Sequence, residues 1–344
     1  MTRDPNDRPD RELPSGEEAL IAAFWAPLAA ACPGAYGLKD DCATIAVPPG
    51  QELVVTTDAL IAGVHFIPED DPTSVAWKAL AVNVSDLVAK GATPLAYVMN
   101  VGLPSLDRAW LEAFSGGLRV AQQAFGCQLV GGDTDRTPGP LSISITAFGT
   151  VPSGRMIRRS TAQPGDYVYV TGTIGDAALG LALLQDPQTG TRCGLDEAAS
   201  TYLAGRLSRP VPPLALAPVV RACASAAMDI SDGLMKDFDR LCRASGVAGR
   251  IEAGRVPLSE AARAILACGG ASLTDLMSGG EDYEVLATIA PERAPELERL
   301  AAAAGTRTTR IGDITRGSPG AVAVSASGEA ITFVKSGWDH FSQP

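Results

Sequence analysis

This sequence predicts two α/β domains built on mixed sheets, and three observations carry the prediction. At 344 residues the chain exceeds the size at which one hydrophobic core keeps growing, so two domains are expected. Apolar residues make up 46% of the chain with only 5% aromatic, and 36 glycines punctuate it, the composition of an ordinary soluble α/β protein. Strand-like and helix-like segments alternate irregularly, with hairpin-like strand pairs among them. That order fits mixed sheets better than a doubly wound parallel sheet.

Residues 1–14, rich in Asp, Arg and Pro, are expected to be a disordered tail and not a targeting signal. From Ala19 to Leu38 the chain is uncharged, but Pro27, Pro33 and Gly34 interrupt it and its alanines make it weakly hydrophobic, so a membrane span is not expected. Ser15 followed by Glu18 is a capping-box signature, and Leu20, Ile21, Phe24 and Leu28 share a helical face, which predicts an amphipathic helix. The Thr44–Val47 stretch is closed by Pro48, Pro49 and Gly50, and Glu52 to Thr57 predicts a strand running into Asp58. Val75, Leu80, Val84, Leu87 and Val88 have helical spacing between Pro72 and Ala89. Strands are expected at Leu95–Val101 and Ser142–Val151, with a helix over Trp110–Phe125 between them. Gln128–Val130 predicts a short buried strand that delivers the chain to Gly131, Gly132 and Asp133.

A boundary falls near residues 154–165, giving an N-terminal domain over 15–153 and a C-terminal domain over 154–344. Tyr167–Thr171 predicts a strand, Gly175 and Asp176 open an Ala/Leu helix, and Arg209–Pro213 breaks the chain again. Asp232 onward is helical through Leu234, Phe238, Leu241 and Cys242, which sets Ser231 and Asp232 near a helix N-terminus. Val285–Ile289 predicts a strand and Pro291–Ala304 a surface helix. No internal repeat or low-complexity tract interrupts this order.

The formal charge of −11, with no basic stripe, excludes a nucleic-acid footprint. Phosphates bound here would need neutralising by divalent cations held on carboxylates. Seven cysteines without C-x-x-C spacing predict reduced, buried thiols in the cytoplasm, and two histidines make a zinc site a poor fit against hard oxygen ligands for Mg²⁺.

The chemistry concentrates in acidic motifs at turns and at the ends of apolar runs. They are Asp40-Asp41, Thr56-Thr57-Asp58, Asp86, Gly131-Gly132-Asp133-Thr134, Asp229-Ile230-Ser231-Asp232-Gly233-Leu234 and Gly279-Gly280-Glu281-Asp282-Tyr283-Glu284. No G-x-x-x-x-G-K-[ST] loop, no strand followed by G-x-G-x-x-G, no H-E-x-x-H and no G-x-S-x-G is present. Oxygen chemistry remains. A cluster of aspartates repels itself unless cations sit among them, and Mg²⁺ bridges carboxylates to ligand phosphates.

With Gly63-Val64-His65-Phe66, Lys78-Ala79-Leu80-Ala81-Val82-Asn83-Val84-Ser85-Asp86 and Gly337-Trp338-Asp339-His340-Phe341 added, the ordered set resembles the thiamine-monophosphate kinase family. That family lies within the superfamily that includes aminoimidazole ribonucleotide synthetase. The likeness runs from about residue 15 to 341. It implies the two-domain fold of that superfamily, a homodimer through the N-terminal sheets, and ATP-dependent phosphorylation of thiamine monophosphate to thiamine diphosphate. By resemblance, Asp41, Thr56, Thr57, Asp58, Asp86, Asp133, Asp229 and Asp232 hold several Mg²⁺ ions. Gly132, Asp133, Arg159 and Ser231 contact ATP, with Arg158 and Arg155 close to Arg159 in sequence. His65, Glu281 and Trp338 contact the thiamine moiety. One departure is Lys39, where the family commonly places Gly before the Asp pair; it reaches a phosphate or points to solvent.

Singly, each motif has a plainer reading. An Asp at a Gly turn is usually a turn-former, and Ser231 or Asp232 alone would cap a helix. Trp338 alone would be C-terminal packing, His65 a structural histidine, and Asp282 or Glu284 a solvent-facing neighbour of Glu281. A sibling of the superfamily and a non-catalytic phosphate or thiamine sensor are the rival functions.

Overall fold

The structure, a computed structural model, describes residues 16–338. The expected tail over 1–14, the Ser15 cap and the closing Asp339-His340-Phe341 lie outside the described residues.

Among the described residues, ten strands form two sheets: β1 (Gln51–Ile61), β2 (Thr93–Leu103), β3 (Gln128–Arg136), β4 (Ser142–Pro152), β5 (Tyr167–Thr171), β6 (Ala224–Ile230), β7 (Ala248–Glu252), β8 (Glu284–Ile289), β9 (Thr308–Thr315) and β10 (Gly320–Val324). The first sheet runs β1-β4-β2-β3 and the second β10-β7-β9-β5-β8-β6. The β2/β3 and β10/β7 pairs are parallel and the others antiparallel, so both sheets are mixed.

The Pro72–Ala89 helix joins the two halves. Pro72 at its first turn and the Asp71 carboxylate accepting from the Ser74 N–H define its start. Its apolar residues lie all round it, the mark of a helix with no solvent face. It packs on β1, β2 and β4 on one side and on β6 and β8 on the other. One continuous core therefore links Leu80, Leu87, Tyr97 and Phe114 to Val285, Ala287 and Ile289. A second core fills the C-terminal half around Phe238 and Leu286, and a third lies among the helices near Leu203 and Ile265.

Three expectations need correcting. The first helix, Glu17–Leu20 continuing through Ile21–Trp25 to Ala26–Ala29, carries a π turn in its middle. That turn adds a residue to the period, so Trp25 is buried beside Phe24 while Ile21 is only half-buried. β3 does not end before the glycines; it continues through Gly131, Gly132 and Asp133, paired with β2. Finally, the cysteines are not all thiols. Cys193 and Cys268 are joined in a disulfide with a Cα–Cα distance of 5.3 Å. Cys193 packs against the third core, to which the helix ending at Cys268 contributes Ala262 and Ile265, a proximity that a separation of 75 residues hides. Cys127, Cys223 and Cys242 are buried free thiols, as expected, whereas Cys32 is half-buried and Cys42 exposed. Among the described residues no helix is long and apolar enough to cross a membrane.

Candidate active site

A cleft of about 910 Å³ opens between the end of β1, the Pro72–Ala89 helix, the loop after β6 and the loop before β8. Of the residues singled out from sequence, Asp58, His65, Asp86, Asp229, Ser231, Asp232, Glu281 and Trp338 line it. They come from both halves of the chain.

The helix supplies one polar stripe on an otherwise apolar cylinder. Lys78, Val82 and Asp86 face the cleft at helical spacing, and Ser85 lies beside them. Thr56, on β1, donates its hydroxyl proton to Asp86, and the Asn83 amide oxygen accepts the Asp58 N–H at 3.1 Å. From the other side, the Asp229 carboxylate accepts from the buried Ser85 hydroxyl at 2.9 Å. Four carboxylates thus share one region. Asp58 is solvent-accessible along the cleft wall, but desolvation by the surrounding cleft, then the charges of Asp86 and Asp232, raise its pKa from 3.8 to about 7. Burial and the charge of Asp86 also push Asp229 well above the usual carboxylate range, against the Ser85 hydrogen bond.

The loop after β6 is held from behind. Asp237, fully buried, accepts the N–H groups of Ser231 at 3.1 Å and Asp232 at 2.9 Å. Burial raises Asp237 to about 6, opposed by the Asp232 N–H bond and by Arg240. Arg240 bridges Asp237 at 2.9 Å and Asp232 at 2.6 Å. The Trp338 N–H donates to the Asp232 carbonyl at 2.9 Å, and Lys236 donates to the Trp338 carbonyl, so the C-terminal segment is pinned to this loop.

The Glu281 loop is stitched to the same turn. Its N–H donates to the Ser231 carbonyl at 2.8 Å, and that of Tyr283 to Ile230 at 2.8 Å. Gly280 is required there, because a Cβ would fall 2.5 Å from the Ser231 oxygen. Glu281 itself pairs with Lys78. The His65 Nδ1 accepts the Ile61 N–H at 3.0 Å, which in the neutral ring puts the proton on Nε2. Asp282 and Glu284 do not face solvent: both are buried. Asp282 accepts the Gly175 N–H with both oxygens at 3.0 Å, capping the Asp176–Gln185 helix, and Glu284 pairs with Arg206 at 2.8 Å.

Other sequence-singled residues stand apart from the cleft lining. Thr57 points to the opposite side of β1, where its hydroxyl donates to the Ile145 carbonyl at 3.1 Å. Asp41 is exposed after a tight turn in which Tyr36 and Leu38 adopt positive φ, and Lys39 is exposed beside it. Asp133 is exposed on β3 and accepts the Thr134 N–H at 2.8 Å. Gly132 must be glycine, since a Cβ would meet the Met99 oxygen at 1.9 Å. Arg159 is exposed, and its charge acts on the half-buried Lys90, which also feels Asp229 and Asp86.

Lys78, Asn83 and Ser85 stand in a motif quoted above but were given no role, and Asp237 and Arg240 escaped the sequence reading. For the first three a signal existed: polar residues inside an apolar helix need buried partners. Among the described residues no three His, Cys, Asp or Glu side chains converge into a metal cage. The all-oxygen donor set fits Mg²⁺, which takes one or two carboxylates and completes its shell with water and substrate phosphates.

Two family models match the chain: AIR synthase related protein, N-terminal domain, over residues 39–151, and AIR synthase related protein, C-terminal domain, over 163–325. Fold and site together define a member of that class. Thiamine-monophosphate kinase of Salmonella typhimurium (strain LT2) is 40% identical over 330 residues, 96% of this chain and 99% of that protein. The crystal structure of thiamine-monophosphate kinase from Stenotrophomonas maltophilia K279a matches with a TM-score of 0.74 and 37% identity, covering 86% of this chain and 91% of that one. AaThiL complexed with AMPPCP and TMP matches with a TM-score of 0.74 and 32% identity over 86% of this chain and 89% of that one. The chain belongs to the thiamine-monophosphate kinase family.

Proposed function

We propose that this cleft transfers the γ-phosphoryl group of ATP in line to the phosphate of thiamine monophosphate, giving ADP and thiamine diphosphate, as a step of thiamine diphosphate biosynthesis in the cytoplasm. The observation that carries the reading is that Asp58, Asp86, Asp229 and Asp232, drawn from both halves of the chain, line one cleft that also holds His65, Glu281 and Trp338.

The acceptor's second phosphate pKa is about 6, so it is largely dianionic at neutral pH and needs no strong general base. The obstacle is bringing two polyanions together, and phosphoryl transfer depends on positioning and charge neutralisation. When bound, Mg²⁺ supplies charge neutralisation and polarises the transferring group. Asp58, Asp86, Asp229 and Asp232 would hold it, with Thr56 orienting Asp86. The roles of Asp41, Thr57 and Asp133 toward metal, and of Gly132, Asp133 and Arg159 toward ATP, rest on the resemblance. Ser231 presents its backbone and hydroxyl from a loop that Asp237 fixes. Trp338 offers an aromatic face to the cationic thiazolium. In this reading residues 15–153 carry most of the ATP and metal contacts, and 154–344 close the cleft and complete that set with Arg159, Asp229, Ser231 and Asp232.

The homodimer belongs to the same proposal. Helices cover one face of the first sheet, while Leu53 and Val55 on β1 are exposed on the other, an apolar edge that a second copy would cover. Sedimentation tests the dimer. ATP made chiral at the γ-phosphorus tests the chemistry: inversion supports direct transfer, and retention contradicts it.

A further inference from the structure

Lys78 is the buried cation that the roles above leave unused. It is 2% exposed, donates to the His65 carbonyl at 2.8 Å and pairs with Oε2 of Glu281. An ammonium persists in such a place only when paired. Its partner is held in an unusual backbone conformation: Glu281 has a φ of 73°, the left-handed region that non-glycine residues avoid. The hydrogen bonds from Glu281 and Tyr283 to the loop after β6 keep it there.

Building on the kinase reading, we propose that Lys78 is a positioning residue that fixes the polarity of Glu281. Position 281 then offers a hydrogen-bond acceptor to the exocyclic amino group of the substrate's aminopyrimidine ring, and not a counter-charge to its thiazolium. An ammonium has donors only, so the atom it holds at position 281 must be an acceptor. Oε2 is committed to Lys78, and Oε1 remains with lone pairs for a ligand. The pair is neutral as a whole, so its attraction for a distant cation is largely cancelled while its acceptor capacity is kept. The thiazolium carries no N–H to use that acceptor; the aminopyrimidine does.

Steady-state kinetics with thiamine monophosphate and its 4-oxo analogue, in which a carbonyl replaces the amino group, test this. Wild type should prefer the amino substrate by about 100-fold in kcat/KM. In Glu281→Gln, Lys78 takes the amide oxygen and the amide NH₂ faces the substrate, so the preference should reverse toward the oxo analogue. Adding Lys78→Met frees the amide to turn, and the ratio should fall close to unity with KM for ATP unchanged. This double variant carries no unpaired buried charge, and its thermal melt checks that it folds. Lys78→Arg should keep the wild-type preference. Glu281→Gln still favouring the amino substrate, or a double variant behaving like Glu281→Gln, would overturn the inference. Wild type using both substrates equally would overturn it and leave the kinase reading standing. Wild type making no thiamine diphosphate would overturn both.

Discussion

The Ser85 hydroxyl, on the helix of the N-terminal half, donates to the Asp229 carboxylate at the end of β6 at 2.9 Å, across 144 residues of sequence. Both groups are buried, and the bond ties the two acidic segments into one site. Ser85→Ala leaves a buried carboxylate without that donor. We expect a stability loss of about 1–3 kcal/mol and a higher Mg²⁺ requirement for turnover. Denaturant melts and a Mg²⁺ titration of the rate check both, and unchanged values in each contradict a coupling role.

Asp58→Asn should abolish turnover, by at least about 100-fold, with unaltered circular dichroism; Asp133→Asn is expected to do the same. Near-normal activity in either overturns its metal assignment. Asp58 also sets a pH dependence. Its pKa is about 7 when folded against 3.8 as a free group, so the folded state binds more protons between those values. Its contribution to stability is therefore greatest at low pH and declines as pH rises toward about 7. In EDTA, the melting temperature of wild type should fall more between pH 5.5 and pH 8 than that of Asp58→Asn, by a small margin because solvent screens the accessible carboxylate. Parallel pH profiles contradict the raised pKa.

Trp338→Ala should weaken thiamine monophosphate more than ATP. A lost cation–π contact corresponds to a rise of about 3- to 30-fold in KM for the thiamine substrate. Equal losses for both substrates would remove Trp338 from the thiamine side.

Intact-mass analysis after alkylation of the denatured, unreduced protein should find five modified cysteines, the number left free beside the Cys193–Cys268 disulfide. Cys193→Ser should lower stability by about 2–4 kcal/mol under oxidising conditions and change nothing in reductant. Seven alkylated cysteines in the native, unreduced and then denatured protein would contradict the pairing.

Local elements were legible where one physical rule governed them. The Pro72–Ala89 helix matches its expected bounds because Pro72 opens it and its apolar residues repeat at helical spacing. β5 and β8 were equally visible as short apolar runs. The π turn at Ile21–Trp25 was not, because a one-residue insertion leaves no mark in composition. In the site, Asp58, Asp86, Asp229 and Asp232 were readable as acidic motifs, but their convergence depends on strand order. Lys78 stood in a motif already singled out, and only the position of Glu281, 203 residues away, shows its use. Thr57 looked equivalent to Thr56, yet the alternation of β1 sends the two hydroxyls to opposite sides.

The most direct test of the central claim is chromatographic: purified protein with ATP, Mg²⁺ and thiamine monophosphate, beside an EDTA control and a free-thiamine control. Thiamine diphosphate and ADP should appear in equal amounts, and EDTA should stop both. ATP consumed without thiamine diphosphate, or no turnover with nucleotide bound, would contradict the account.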